Sequence, residues 1–312
     1  MRKKRKKDKP SRGESFSLTF LKDRKKRRSS QARQSMATML KIVLLVGGLS
    51  SLSLGLIFLD QYVKDQKKLA EKTAVLELID PPPWVSEQLK QKIYAAARAG
   101  GEDLSLREDA AEAVQKNIES HIVWLSDVQV QSTSESLRIF GQWKRPLAGF
   151  EFGGERFYIC SDYFVLDAVP VPALPIVEIK GLSIRRKPSL GIIWRQDDME
   201  AAVELLDRLD KMDAMVSSDK PLLFEIESID VSNLDGRVDK SKPHIILTAK
   251  NGTEIRWGAK LGAWQRHLEA TDKDKIANLY EYYRRHGTLS GAARYINLQY
   301  PQSGLPQPVD RF

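Results

Sequence analysis

"HIILTAKNGTEIRWG", residues 244–258, is two β-type runs joined by Asn251-Gly252. Asn-Gly is the preferred pair for a type I′ hairpin turn, in which both central residues take positive φ, so the stretch predicts a hairpin. Downstream, "AWQRHLEATDKDKIANLYEYYRRHG" reads as helical material. "ARYINLQYPQ" (residues 293–302) then reads as a last strand carrying Tyr295, Ile296, Leu298 and Tyr300, stopped by Pro301. No later run can pair with it, so it must join a sheet built from earlier strands. An exposed, apolar terminal strand is an aggregation liability unless something covers it.

Upstream, "LLFEIESIDVSNL" predicts one long strand or a pair. Before it, Met199, Val203, Leu206 and Leu209 recur at helical spacing, and Leu205, Met212 and Val216 widen the stripe. Such a stripe is core, with the methionines as gap-fillers. "GERFYICSDYFVLDAV" gives two short β runs around Ser161-Asp162. Further back, "TAVLELI" is a strand broken by "DPPPW". Val85, Leu89, Ile93 and Tyr94 mark a helix over 85–97, and Ala110, Val114 and Ile118 a second over 106–118. "VWLSDVQVQ" and "ESLRIFGQWK" follow as two strands separated by "STS". The predicted order is β-α-α-β-β.

Residues 42–59 are 18 uncharged residues between Lys41 and Asp60, a span of roughly 27 Å as a helix. With 41 residues ahead of it and no small-x-small cleavage site, it reads as a transmembrane helix and not a removed signal peptide. Residues 1–41 hold sixteen Lys/Arg against three acids, a net of +13, while the whole chain is +9. The remainder is mildly acidic, so the basicity belongs to the tail and no nucleic-acid partner is expected of the body. The tail keeps the N-terminus cytoplasmic and touches anionic lipid. The expected localisation is therefore the inner (plasma) membrane, single-pass type II, with the C-terminal body extracytoplasmic.

Sequences that carry catalysis are missing: no phosphate-binding loop, Gly-x-Ser-x-Gly elbow, His-Glu-x-x-His or Cys-x-x-Cys occurs in the 312 residues. His121, His244, His267 and His286 lie far apart and read as surface or capping residues. Asp197-Asp198 precedes the amphipathic helix and reads as an N-cap pair, not a metal site. The single cysteine, Cys160, sits in a strand-like run and reads as a small buried hydrophobe. No enzyme activity, cofactor or metal is expected.

The β-α-α-β-β order matches the polypeptide-transport-associated (POTRA) domain, and the detail resembles the bacterial cell-division proteins FtsQ and DivIB. The resemblance rests on Val85-Ser86 opening a helix, Trp124-Leu125 before a strand, Leu137 and Ile139 within the next, and Lys144, Arg145, Pro146 and Ala148 at its exit. It continues in "YFVLDAVPVPALPIVEIKG", where Tyr163 or Phe164 stands at the family's turn glycine, and in Ile255, Trp257 and Gly258. In "YINLQYP", Ile296, Leu298, Tyr300 and Pro301 agree with the family, while Asn297 and Gln299 replace a charged pair that an amide pair could substitute.

The resemblance implies an α+β chain: basic disordered cytoplasmic tail 1–41, transmembrane helix 42–59, juxtamembrane stalk 60–73, POTRA-like domain 74–145, a second mixed β-domain with a mainly antiparallel sheet at 146–301, and a C-terminal tail 302–312. It implies a non-catalytic scaffold of the division septum. FtsB/FtsL-type coiled-coil proteins would bind by adding a strand at the C-terminal edge, with Tyr295, Leu298 and Tyr300 in contact or support. The alternatives are a POTRA-bearing envelope-assembly or translocation component, and a membrane-anchored envelope enzyme.

Overall fold

The computed structural model describes residues 75–99, 109–289 and 294–300, with isolated positions 55, 58, 59, 61 and 62 ahead of them. From residue 75 onward, the described residues belong to one compact unit, Leu69–Phe312.

The first lobe begins with strand β1 (Val75–Leu78), followed by helices α1 (Glu87–Ala97) and α2 (Ala110–His121) and strands β2 (Leu125–Ser132) and β3 (Ser136–Trp143). Ser86 starts α1 because its hydroxyl accepts from Leu89 N at 3.3 Å, satisfying an amide that the first turn leaves orphaned. The helical stripes bury Leu89, Ile93, Val114 and Ile118 completely. They pack on a three-stranded sheet of order β1-β3-β2, in which β1 and β3 run parallel. Leu106 lies outside the described residues.

The second lobe is an eight-stranded sheet of order β11-β10-β9-β8-β7-β4-β5-β6. Its strands are β4 (Pro146–Phe152), β5 (Glu155–Cys160), β6 (Val165–Asp167), β7 (Val177–Lys180), β8 (Ile226–Asp230), β9 (Ile245–Ala249), β10 (Glu254–Gly258) and β11 (Tyr295–Asn297). Helix α3 (Asp197–Val216) joins β7 to β8, and α4 (Asp272–His286) joins β10 to β11. Both connections return the chain to a neighbouring parallel strand, and both step in the same direction across the sheet. Crossovers of one hand that step in one direction put their helices on one face. The core bears this out: Leu205, Leu206 and Leu209 of α3 and Leu279 of α4 pack with Phe150, Val177, Ile229, Leu247 and Ile255 from that face.

The sheet is mixed, and the expectation of a mainly antiparallel one holds narrowly: four of its seven pairings are antiparallel, and three, β4–β7, β7–β8 and β10–β11, are parallel. The transmembrane expectation is corrected. Among the described residues no helix is long and apolar enough to cross a membrane. The longest, α3 with 20 residues, carries nine charged side chains, of which all but Asp198 and Asp213 lie away from the core. Most of 42–59, the basic tail, most of the stalk and the C-terminal tail lie outside the described residues.

The hairpin predicted at 244–258 forms, but not with a type I′ turn. Gly252 N donates to Ala249 O at 2.8 Å and Ala249 N donates to Thr253 O at 2.9 Å. Gly252 has φ 86° while Asn251 stays at negative φ. This is the three-residue loop in which glycine alone takes the left-handed place. Asn251 serves with its side chain instead, accepting from Thr253 N at 3.1 Å.

Strands β5 and β6 are buried on both faces. Phe157, Ile159 and Val165 point to the helix-side core, while Tyr158, Cys160 and Leu166 complete the core of the first lobe. Asp167 seals this joint by accepting from Trp124 Nε1 at 3.1 Å and from Lys92 Nζ. Cys160 is thus buried, and burial pushes its thiol up to about 12.

A buried carboxylate closes α3. Asp213 accepts from Leu222 N (2.8 Å), Leu223 N (2.9 Å), Ser217 Oγ (2.7 Å) and Tyr280 of α4 (2.8 Å). Asp213→Ala leaves these donors unpaired at about 1–3 kcal/mol for each buried one. Urea unfolding should show the variant less stable by at least about 3 kcal/mol at unchanged m, against about 1 kcal/mol for Tyr280→Phe.

Candidate functional site

The outer edge of the sheet is β11. Its register on β10 is parallel, with Tyr295, Ile296 and Asn297 opposite Glu254, Ile255 and Arg256. Glu254 N donates to Arg294 O at 3.4 Å and Leu298 N donates to Arg256 O at 3.0 Å. Residues 294, 296 and 298 therefore turn their backbone groups toward β10. By the alternation of an extended strand, Tyr295 and Asn297 turn theirs away from it. The opposite edge, β6, is covered: Val165 N donates to Ile192 O and Gly191 N to Val165 O.

Side chains at the β11 edge divide by face. Ile296 and Leu298 point into the helix-side core and are 1% and 3% exposed. Tyr295 lies on the open face, 41% exposed, with the Arg256 guanidinium 4.1 Å from its ring centroid. Tyr300 is 57% exposed and stands three residues past the end of β11. Of the three residues named from sequence, Leu298 is buried in the core, while Tyr295 and Tyr300 are exposed. The strand is also shorter than expected, because Gln299 O accepts from Ala270 N (2.6 Å) and draws the chain off the sheet.

The expected amide pair between Asn297 and Gln299 does not form. Asn297 Oδ1 accepts from the backbone N of Gln299 at 3.0 Å, and Gln299 Nε2 donates to Glu269 Oε1 at 3.1 Å. Glu269 is the organising group. Its Oε2 is 2.5 Å from Lys275 Nζ, with side chains 6% and 0% exposed, and both its oxygens accept from Ala259 N. Gly258, at φ 96°, makes room, since a Cβ there would lie 2.4 Å from the carboxylate. The ammonium sits 5.2 Å from the Trp257 ring centroid. The one local sign of this pair is a lysine, Lys275, beside the apolar positions Ile276 and Leu279 of α4.

Two further expectations are corrected. His244 is not at the surface: it is buried, and its ring meets that of His267 edge-on at 4.6 Å. Asp198 is not an N-cap; Gln196 holds that place without a side-chain bond. Buried Asp198 accepts from Ser183 N (2.7 Å) and Arg237 (3.3 Å), fastening α3 to the loops after β7 and β8. Tyr163, one of the two residues read at the expected turn-glycine position, takes φ 66°. Among the described residues no group of three or more His, Cys, Asp or Glu is placed to hold a metal ion. No family model matches the chain, and no curated protein matches it either.

Removing one member of a buried ion pair strands the other charge, at about 3–5 kcal/mol. Lys275→Met should therefore lower the melting temperature strongly and speed hydrogen exchange at the Ile296 and Leu298 amides. Adding Glu269→Gln should restore part of the loss. A pH effect follows from His244. Burial, then the neighbouring His267, holds its pKa below the usual 6.5, against the opposing pull of Glu269 and Asp235. The unfolded chain thus takes up the proton first. This contribution is whole above about 6.5 and is lost as pH falls toward the depressed folded value. Melting curves from pH 8 to pH 5 should fall less steeply for His244→Asn than for the wild type.

Proposed function

We propose that the chain is a non-catalytic scaffold of the bacterial division machinery, of the FtsQ/DivIB kind, which recruits or regulates septal wall synthesis by protein binding. The observation that supports this is the β11 edge, with the backbone groups of Tyr295 and Asn297 turned away from β10. A partner strand laid there gains main-chain hydrogen bonds, and Tyr295 and Tyr300 give it side chains to read. Its expected partners are FtsB/FtsL-type coiled-coil proteins. The same reading puts the folded body on the outer side of the plasma membrane, at the septum, with the basic residues 1–41 against anionic lipid.

Strand addition is tested by co-expressing the full chain with the FtsB- and FtsL-type proteins of its own organism. Asn297→Pro removes the outward N–H and sets a ring in the path of an incoming strand, at an edge position where proline is tolerated. Capture should fall at least tenfold for Asn297→Pro and for Tyr300→Glu, with the melting temperature nearly kept. Equal capture by all three chains would sink the edge mechanism.

A further inference from the structure

The segment that covers β6 is itself an edge. Residues 191–194 lie against the start of β6, with Ile193 facing Phe164 in an antiparallel bridge. Val165 N donates to Ile192 O at 3.0 Å and Trp194 N to Tyr163 O at 2.9 Å. In such a ladder the residue between them, Ile193, turns its N–H and C=O away from β6. Neither group makes a hydrogen bond among the described residues. Ile193 is also 61% exposed, and Leu190 and Ile192 are exposed beside it. No charged residue occurs from Pro188 to Trp194. A bare edge with aliphatic side chains is what sheets otherwise avoid, by charge, proline or cover.

The open stretch is short. Gly191 N donates to Val165 O, so Gly191 and Ile192 share one partner, a bulge that ends the regular ladder on one side. On the other side α3 begins at Asp197. The flanks carry opposite charge. Before the stretch, Arg185 and Arg186 are exposed and form no ion pair among the described residues, while Lys187 is held by Glu155 at 2.5 Å. After it, Asp197 is exposed and Glu200 half-buried in the first turn of α3, and neither forms an ion pair among the described residues. Asp198 is taken up by Arg237, and Arg195 lies 4.7 Å from the Tyr163 ring centroid.

We infer that this stretch is a self-association edge, and that its occupant is a second copy of this chain laid antiparallel about a two-fold axis at Ile193. The order basic, apolar, acidic matches itself when reversed. An antiparallel copy therefore brings each basic flank to the other's acidic flank, whereas a parallel one sets like charge against like. At the axis Ile193 exchanges both its backbone bonds with the partner's Ile193. Ile192 then stands opposite the partner's Trp194, so both faces of the junction are apolar. One patch that complements itself is what a closed two-fold contact requires. The contact is far from β11 in the order of the sheet and does not depend on what binds there.

Sedimentation of the purified full chain tests this. Its mass should rise toward a dimer between about 1 and about 100 μM, and Ile193→Lys should weaken association at least tenfold at an unchanged melting temperature. Asn297→Pro, at the other edge, should associate as the wild type does. A monomeric wild type, equal association by Ile193→Lys, or a loss for Asn297→Pro overturns the proposal. Cysteine pairing tests the register, and it decides alone should Ile193→Lys fail to fold. Two Ile193→Cys chains meet with Cα atoms about 5.5 Å apart, within disulfide reach. Two Leu190→Cys chains stand roughly 15–20 Å apart. Mild oxidation should link the first and not the second, and equal yields, or none for Ile193→Cys, overturn the register. Charge reversal tests the occupant. Chains carrying Arg185→Glu with Arg186→Glu, and chains carrying Asp197→Lys, should each associate several-fold more weakly alone and recover when mixed. Failure to recover on mixing overturns the antiparallel copy.

Discussion

The carboxylate of Glu269, paired with Lys275 in the interior, is the constraint on which the C-terminal half depends. A buried ion pair stabilises only when its remaining donors and acceptors are filled. Here the filling is done by the chain segments that have to be brought together. Ala259 N at the exit of β10 and Gln299 Nε2 at the exit of β11 both donate to it, and Lys275 arrives on α4. Strand β11 has three residues and one neighbour, too little to hold its own place. It is kept by Ile296 and Leu298 in the core and by this clamp just beyond them. The glycine at 258 follows from the same demand, since any side chain would occupy the carboxylate's position.

At the other end, the two lobes share strands and not merely a surface. Alternate residues of β5 and β6 feed different cores, so one segment of a dozen residues stabilises both. Trp124 is the pivot of that joint. Its ring lies fully buried edge-on to Tyr158 at 6.1 Å, while its indole N–H reaches Asp167. An aromatic residue with one polar handle suits such a place, because the ring fills volume and the handle fixes orientation.

Periodic segments were legible in the sequence, and relations between segments were not. Ser86 before α1, the stripe from Met199 to Leu209, and the alternation of β2 and β3 each carry their own local signal. Val216 extends the stripe in sequence, yet at the last residue of α3 it is 60% exposed. Strand β4 was read only as an exit step after Trp143; its burial on the helix side through Phe150 depends on β5, β7 and α3 together. At the candidate edge, the edge position of the last strand was foreseen, but its length was not. The reason is Gln299, whose carbonyl and amide are taken by Ala270 and Glu269, residues 29 and 30 positions away with no local pattern to announce them.

The breadth of the sheet has a further consequence. Neighbouring strands rotate against one another by about 20–25°, so from β6 to β11 the strand direction turns through roughly 150°. The joint with the first lobe, on β5 and β6, and the β11 edge lie toward opposite ends of one continuous hydrogen-bonded plate. A strand seated on β11 leaves that joint untouched, and the plate fixes its angle to the first lobe as a carpenter's square would.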